Sequence, residues 1–300
     1  MIVKSIVHPM IFLVLIVGSS SRILADELIL RESGSIIRVD LAGHASPFVA
    51  TGGSIQVLGQ EVFCAQGKTV NVYNPDGALL RSISVPADVV SYINFVVLPD
   101  RRMAFLDNHY DAIYFTAPDG TYLKTVPLFS VPDQHWQNMD GVVVNHTLVI
   151  SENGNRQVVA IDLASYNLSI FRDLQTLHGS LGPITYAGGS YYIAQAQSVL
   201  TFMPDSSATE LVAKTPVGNI TGIAAAGGRL FVVVNGVSKR TSSDPQAKHG
   251  VLYELHPKDG TATVILDNLD YPEGLAALCD QNPQTRPIIE TQKRFFYNTN

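Results

Sequence analysis

Beyond residue 26 the chain alternates short apolar runs with clusters of Gly, Asn, Asp and Pro. The runs are rich in Val, Ile, Tyr and Phe and too short for long helices, so they read as strands. Segments 69–83 (TVNVYNPDGALLRSI) and 112–126 (AIYFTAPDGTYLKTV) each have the form strand, tight turn, strand. Asp-Gly suits such a turn because glycine accepts positive φ and aspartate bonds nearby backbone.

The turns recur. Asp76, Asp119, Asp162 and Asp205 follow one another at intervals of 43 residues. Further copies are YELHPKDG, ending at Gly260, and SIIRVDLAG, ending at Gly43. A period of this length with several short strands per unit predicts a β-propeller. Each unit supplies an inner strand (92–98, 141–144, 182–187, 222–226), a second strand, and an outer pair around the turn. Complete blades start near Gly53, Tyr92, Asp140, Pro183 and Thr221. Residues 273–278 form an inner strand with no outer strands after it. Residues 28–49 supply outer strands with no inner strand before them. Joining the two closes a ring of six blades and hides the terminal sheet edges. The expected fold is therefore all-β: a six-bladed propeller over 26–280, followed by a tail at 281–300.

The first 25 residues stand apart. Lys4, the apolar run Ile11–Gly18 and Ala25 have the form of a secretory signal with cleavage before Asp26. The run is short for a bilayer span, which needs about 20 apolar residues, so a secreted or periplasmic protein without a stable membrane span is expected. Export would let Cys64 and Cys279 pair as a disulfide, since ring closure makes their blades neighbours. Asn145, Asn167 and Asn219 head N-x-Ser/Thr sequons and are candidate glycosylation sites. The formal charge of −6 and the 15% charged fraction argue against a nucleic-acid partner and against disorder. A monomer is expected.

The repeats resemble those of the NHL family and of the related SMP-30/gluconolactonase-like six-bladed propellers. Pro272-Glu-Gly-Leu-Ala276 is similar to the opening of an NHL repeat, and Ser151-Glu-Asn-Gly-Asn-Arg-Gln-Val158 to its middle; Leu106–Ile113 is a weaker copy. In the hydrolase members of that group a divalent ion sits in the central channel on Glu, Asn and Asp side chains. The resemblance implies Asp140, Glu273, Asn94 and Asn219 as ligands here, with Ca2+ or Mg2+ as the candidate cofactor, because hard oxygen donors favour these ions.

Chain order places two sets of loops on one face. They carry His109, His135, Trp136, Glu152, Asn153, His178 and Tyr271, the candidate ligand-binding and proton-moving residues, with His135 and His178 as the catalytic candidates. The polar insertion at 235–249, between the second and third strands of blade 5, lies on the same face and is either a lid or a tolerated insertion. Nucleophile-elbow, P-loop and HExxH motifs are absent. Two functions stay open. One is a binding module taking a small polar molecule or a protein on the upper face. The other is a divalent-metal-dependent hydrolase of a lactone or ester. The segment Gly52-Gly53-Ser54 brings no acid to the first blade, which favours the binding module.

Overall fold

The computed structural model describes residues 27–50, 53–89, 94–107, 110–128, 139–175, 179–216, 218–235 and 250–278. These form six four-stranded antiparallel sheets. Blade 6 joins the two ends of the described chain: β1 (Glu27–Glu32), β2 (Ser35–Asp40) and β3 (Ala45–Val49) continue outward from the last inner strand, β24 (Gly274–Leu278). Blade 1 is β4 (Ser54–Leu58), β5 (Glu61–Gln66), β6 (Thr69–Tyr73) and β7 (Leu79–Ser84). Blade 2 is β8 (Asn94–Val97), β9 (Met103–Asp107), β10 (Ala112–Thr116) and β11 (Tyr122–Pro127). Blade 3 is β12 (Met139–Val144), β13 (Thr147–Glu152), β14 (Gln157–Asp162) and β15 (Leu168–Asp173). Blade 4 is β16 (Leu181–Ala187), β17 (Ser190–Gln195), β18 (Ser198–Phe202) and β19 (Glu210–Lys214). Blade 5 is β20 (Asn219–Ala226), β21 (Arg229–Asn235), β22 (Gly250–His256) and β23 (Thr261–Leu269). The expected six-bladed ring is thus the observed one, and the expected pairing of the two incomplete ends is seen in the register Glu27↔Leu278 through Arg31↔Gly274.

Every blade is packed between two others, so its middle strands are apolar on both sides. In β9, Phe105 joins the seam with blade 1 and Leu106 the seam with blade 3. In β1, Leu28 and Leu30 face blade 5, while Ile29 faces blade 1. Six such seams, one between each pair of neighbours, replace a single central core. This explains why β9 and β10 are buried at every position, whereas the outer strand β11 is exposed along most of its length. Truncating one of the seam phenylalanines to alanine would cost roughly 3–5 kcal/mol.

The turn aspartates are capping groups, but they do not all sit at one position. Asp40 and Asp162 end the third strand of their blades and Asn74 directly follows it, and they accept turn N–H groups through their side chains: for Asp40 those of Ala42 and His44, for Asn74 those of Asp76 and Ala78, and for Asp162 those of Ala164 and Ser165. Asp119 and Asp259 lie within the turn and cap Thr121 and Thr261. The main-chain carbonyls of Asn74, Ala117 and Asp162 close equivalent turns. Asp162 is therefore equivalent to Asn74, not to Asp76. The even spacing of the four aspartates lines up two different turn positions, although the blade repeat behind it is real. Hydrogen bonds from the turns hold the Asp40, Asp119, Asp162 and Asp259 carboxyls below the usual carboxylate range.

Among the described residues no helix is long and apolar enough to cross a membrane. Residues 1–25, the tail after Leu278 and positions 236–249 of the insertion lie outside the described residues.

Candidate functional site

The inner strands enclose an axial chamber of about 470 Å³. Glycine within the inner strands lets the blades approach closely here. A Cβ on Gly222 would lie 2.7 Å from the Leu275 nitrogen and 2.9 Å from Val233 Cγ1, so only glycine fits between blades 5 and 6. Part of the wall is apolar, from Ile55, Val142, Ile223 and Leu275. The polar part comes from Ser54, Gln56, Asn94, Thr185 and Thr221. Three ionisable side chains reach the chamber: Arg31, Asp140 and Glu273.

Asp140, second residue of β12, links three blades. Asn94 Nδ2 donates to its Oδ1 at 2.6 Å, and the Ile184 N–H to its Oδ2 at 3.1 Å. It is partly exposed and lines the chamber. Burial of the carboxyl pushes its pKa up to about 6, against the pull of the Ile184, Gly141 and Asn94 hydrogen bonds. Among the described residues its hydrogen-bond partners are all neutral, so the charge is hydrogen-bonded but not balanced by an ion pair. Nearby, Ser151 Oγ donates to the Gly182 carbonyl at 2.7 Å, and Thr221 Oγ1 to the Pro272 carbonyl at 2.7 Å. These bonds tie blade 3 to 4 and blade 5 to 6.

Across the axis, Arg31 Nη2 pairs with Glu273 Oε2 at 2.8 Å. Arg31 closes the β1–β24 ladder opposite Gly274, and the Glu273 N–H donates to its carbonyl. Glu273 stands just before β24 and is half-exposed.

The remaining expected site residues fall elsewhere. Asn219 is exposed and is not part of the chamber lining. Thr221, beside the register shift between Ile220 and Gly222, lines the wall. Glu152 is buried and accepts the Gly154 and Asn155 N–H groups at 2.6 and 2.8 Å, closing its own turn; burial raises its pKa, opposed by those bonds. Asn153 Oδ1 accepts the Leu181 N–H at 2.9 Å, joining blade 3 to blade 4. Tyr271 is half-buried outside the chamber and adopts positive φ. His109, His135, Trp136, His178 and Cys279 lie outside the described residues. Cys64 is buried in the seam between blades 6 and 1 together with Leu278. Asn145 and Asn167, like Asn219, are exposed.

The chain matches no known family model and no curated protein sequence. Its fold matches solved structures. A chain from the crystal structure of a nidogen/laminin complex superposes with a TM-score of 0.66 at 12% identity, covering 86% of this chain and 100% of its own. A protein of unknown function from Bacteroides caccae superposes with a TM-score of 0.61 at 15% identity, covering 85% and 99%. The likeness is one of fold. At these identities it extends to the six-bladed ring and not to the SMP-30 or NHL branch, nor to any site residue.

The chamber's fit to a divalent ion can be judged from its donors. Glu273 is engaged by a guanidinium and Asp140 by N–H donors. Among the described residues no cluster of three or more His, Cys, Asp or Glu side chains is arranged to hold a metal. An ion between Asp140 and Glu273 would have to displace Arg31. The described residues therefore do not form a ready calcium or magnesium site. A second cavity, of about 410 Å³, lies between blades 4 and 5 beside the Arg229–Glu254 ion pair.

Proposed function

We propose that this protein is a binding module that takes a small polar molecule in the axial chamber, reached from the upper face, after export to the cell exterior or periplasm. One observation carries the reading: polar side chains from all six blades converge on one concave, partly apolar space. That combination is what small-molecule sites share, because apolar wall supplies affinity and a few placed polar groups supply orientation. A protein partner on the same face is the second form of this reading. It is favoured by the match to a propeller from a nidogen/laminin complex.

The hydrolase reading would need an ion held by Asp140 and Glu273 to polarise a carbonyl and activate water. The Arg31–Glu273 pair weighs against it. The test is a thermal-shift screen of small polar compounds and of calcium against wild type, R31Q and the double substitution D140N/E273Q. Compounds whose effect vanishes in R31Q support the binding module. A calcium shift that vanishes only in the double substitution would favour the hydrolase. Compounds that bind equally well to all three proteins would place the site outside the chamber.

A further inference from the structure

The geometry points to an amphoteric ligand, a small molecule with a carboxylate at one end and a protonated amine at the other, its carboxylate on Arg31 and its amine on Asp140. This rests on the chamber being the binding site and adds the chemical class.

The two walls differ in what they lack. Arg31 belongs to blade 6 and Asp140 to blade 3, which face each other across the ring. A guanidinium presents five N–H donors in a planar fork. Among the described residues Arg31 makes one ion pair, through Nη2. No other described residue is bonded to its fork, whose remaining N–H groups could take an acceptor in the chamber. Its partner is also the replaceable member of the pair. The Glu273 side chain is 51% exposed against 29% for Arg31, so it can swing to solvent at small desolvation cost. Glu273 thus stands where a ligand carboxylate would bind, and a bidentate ligand carboxylate would restore the charge balance that its departure removes.

The opposite wall asks for a cation. Asp140 is fixed by Asn94 and the Ile184 N–H, and among the described residues its carboxylate is hydrogen-bonded to neutral groups only. A carboxylate has about four acceptor positions. Those left by its protein donors open on the chamber and suit an ammonium, which carries donors and no acceptor. A second carboxylate there would be repelled. The side chains of Thr221 and Thr185 and the apolar surface of Val142 and Ile223 lie between the two ends. At about 470 Å³ the space suits a molecule of amino-acid to dipeptide size.

The test compares glycine, β-alanine and γ-aminobutyrate with butyrate and n-butylamine. Each is measured by thermal shift and calorimetric titration on the full mature chain. At least one amphoteric probe should bind at least tenfold tighter than either one-ended control. R31Q should weaken that probe by about tenfold or more, as expected for losing a charge-assisted contact. E273Q should act in the opposite direction, tightening binding about two- to fivefold, because it removes an exposed internal competitor. The sign is the discriminating readout, since Glu273 acting as a ligand group would make E273Q weaken binding. E273Q alters a half-exposed side chain and leaves the seams untouched, so it keeps the test available if D140N folds poorly. Equal binding of butyrate or n-butylamine, a loss of affinity in E273Q, or no binding of any amphoteric probe overturns the assignment. If the amphoteric probes fail while another polar compound binds in an Arg31-dependent way, the ligand class falls and the chamber stands. If bound compounds ignore R31Q and D140N alike, both fall.

Discussion

Replacing Asp140 with asparagine isolates the energetic consequence of a carboxylate on the chamber wall. Burial raises this carboxyl from 3.8 to about 6, a rise of about two pH units, and each unit corresponds to about 1.4 kcal/mol. Between these two values the folded protein keeps a proton that the unfolded chain has released. Stability therefore falls as pH rises through this window. The contribution is fully present below about pH 4 and is lost as pH rises through about 6, a change of about 3 kcal/mol by pH 7. The side-chain amide in D140N has no proton to lose, so the variant lacks this fall. That amide brings its own penalty, because its NH2 group must face the Asn94 amide or the Ile184 N–H, at roughly 1–3 kcal/mol. The penalty is the same at every pH. The expected outcome is a variant less stable than wild type near pH 4 that gains about 3 kcal/mol relative to it by about pH 7. Glu152, also raised by burial, is present in both proteins and cancels. Urea unfolding followed by circular dichroism across this range, without added ligand, gives the comparison. Parallel stability curves for the two proteins would show that Asp140 titrates as an ordinary surface acid, and would refute the account of an enclosed, uncompensated charge.

Three further outcomes are expected. Gly222→Ala should destabilise by roughly 1–3 kcal/mol, because the new methyl meets the backbone and side chain of Leu275 and Val233 below 3.0 Å; Gly274→Ala, whose nearest contact is 3.6 Å away, should stay close to wild type, and equal melting temperatures for the two would contradict the tight blade 5–6 approach. Cys64 and Cys279 should be found in one disulfide-linked peptide by non-reducing mapping of exported protein, since Leu278, the residue before Cys279, packs in the same seam as Cys64; quantitative alkylation of both thiols in the native protein would end that proposal. N-terminal sequencing of exported material should begin at Asp26, and recovery of Met1 there would defeat the cleavage assignment.

Much of the fold is legible in the sequence because a propeller repeats one solution. The apolar middle strands, the Asp-centred turns and the two complementary half-blades each reflect a local rule applied once per blade. Asp140, Asn94 and Glu273 stand out because inner-strand starts point to the axis in every blade. Arg31 does not, since in Leu28–Glu32 it reads as the polar end of an apolar strand. Its place at the chamber follows only from the β1–β24 register that sets it opposite Gly274. Strict alternation puts Asn219 and Thr221 on one face and so cannot choose between them; in the structure only Thr221, beside the register shift at Ile220/Gly222, lines the wall. Glu152 and Asn153 look like ligands because a buried carboxylate and amide near a loop suit binding and backbone capping equally. Only the backbone positions show that both accept main-chain N–H groups. The regular spacing of the aspartates overstates their equivalence for a related reason, as two turn positions can both cap a hairpin.

The most direct measurement of the central claim is a crystal structure of the protein grown with γ-aminobutyrate. The account predicts density in the axial chamber, with the ligand carboxylate on the Arg31 guanidinium, the amine beside Asp140, and Glu273 turned out to solvent. An intact Arg31–Glu273 pair, with the ligand bound elsewhere or absent at saturating concentration, would contradict it.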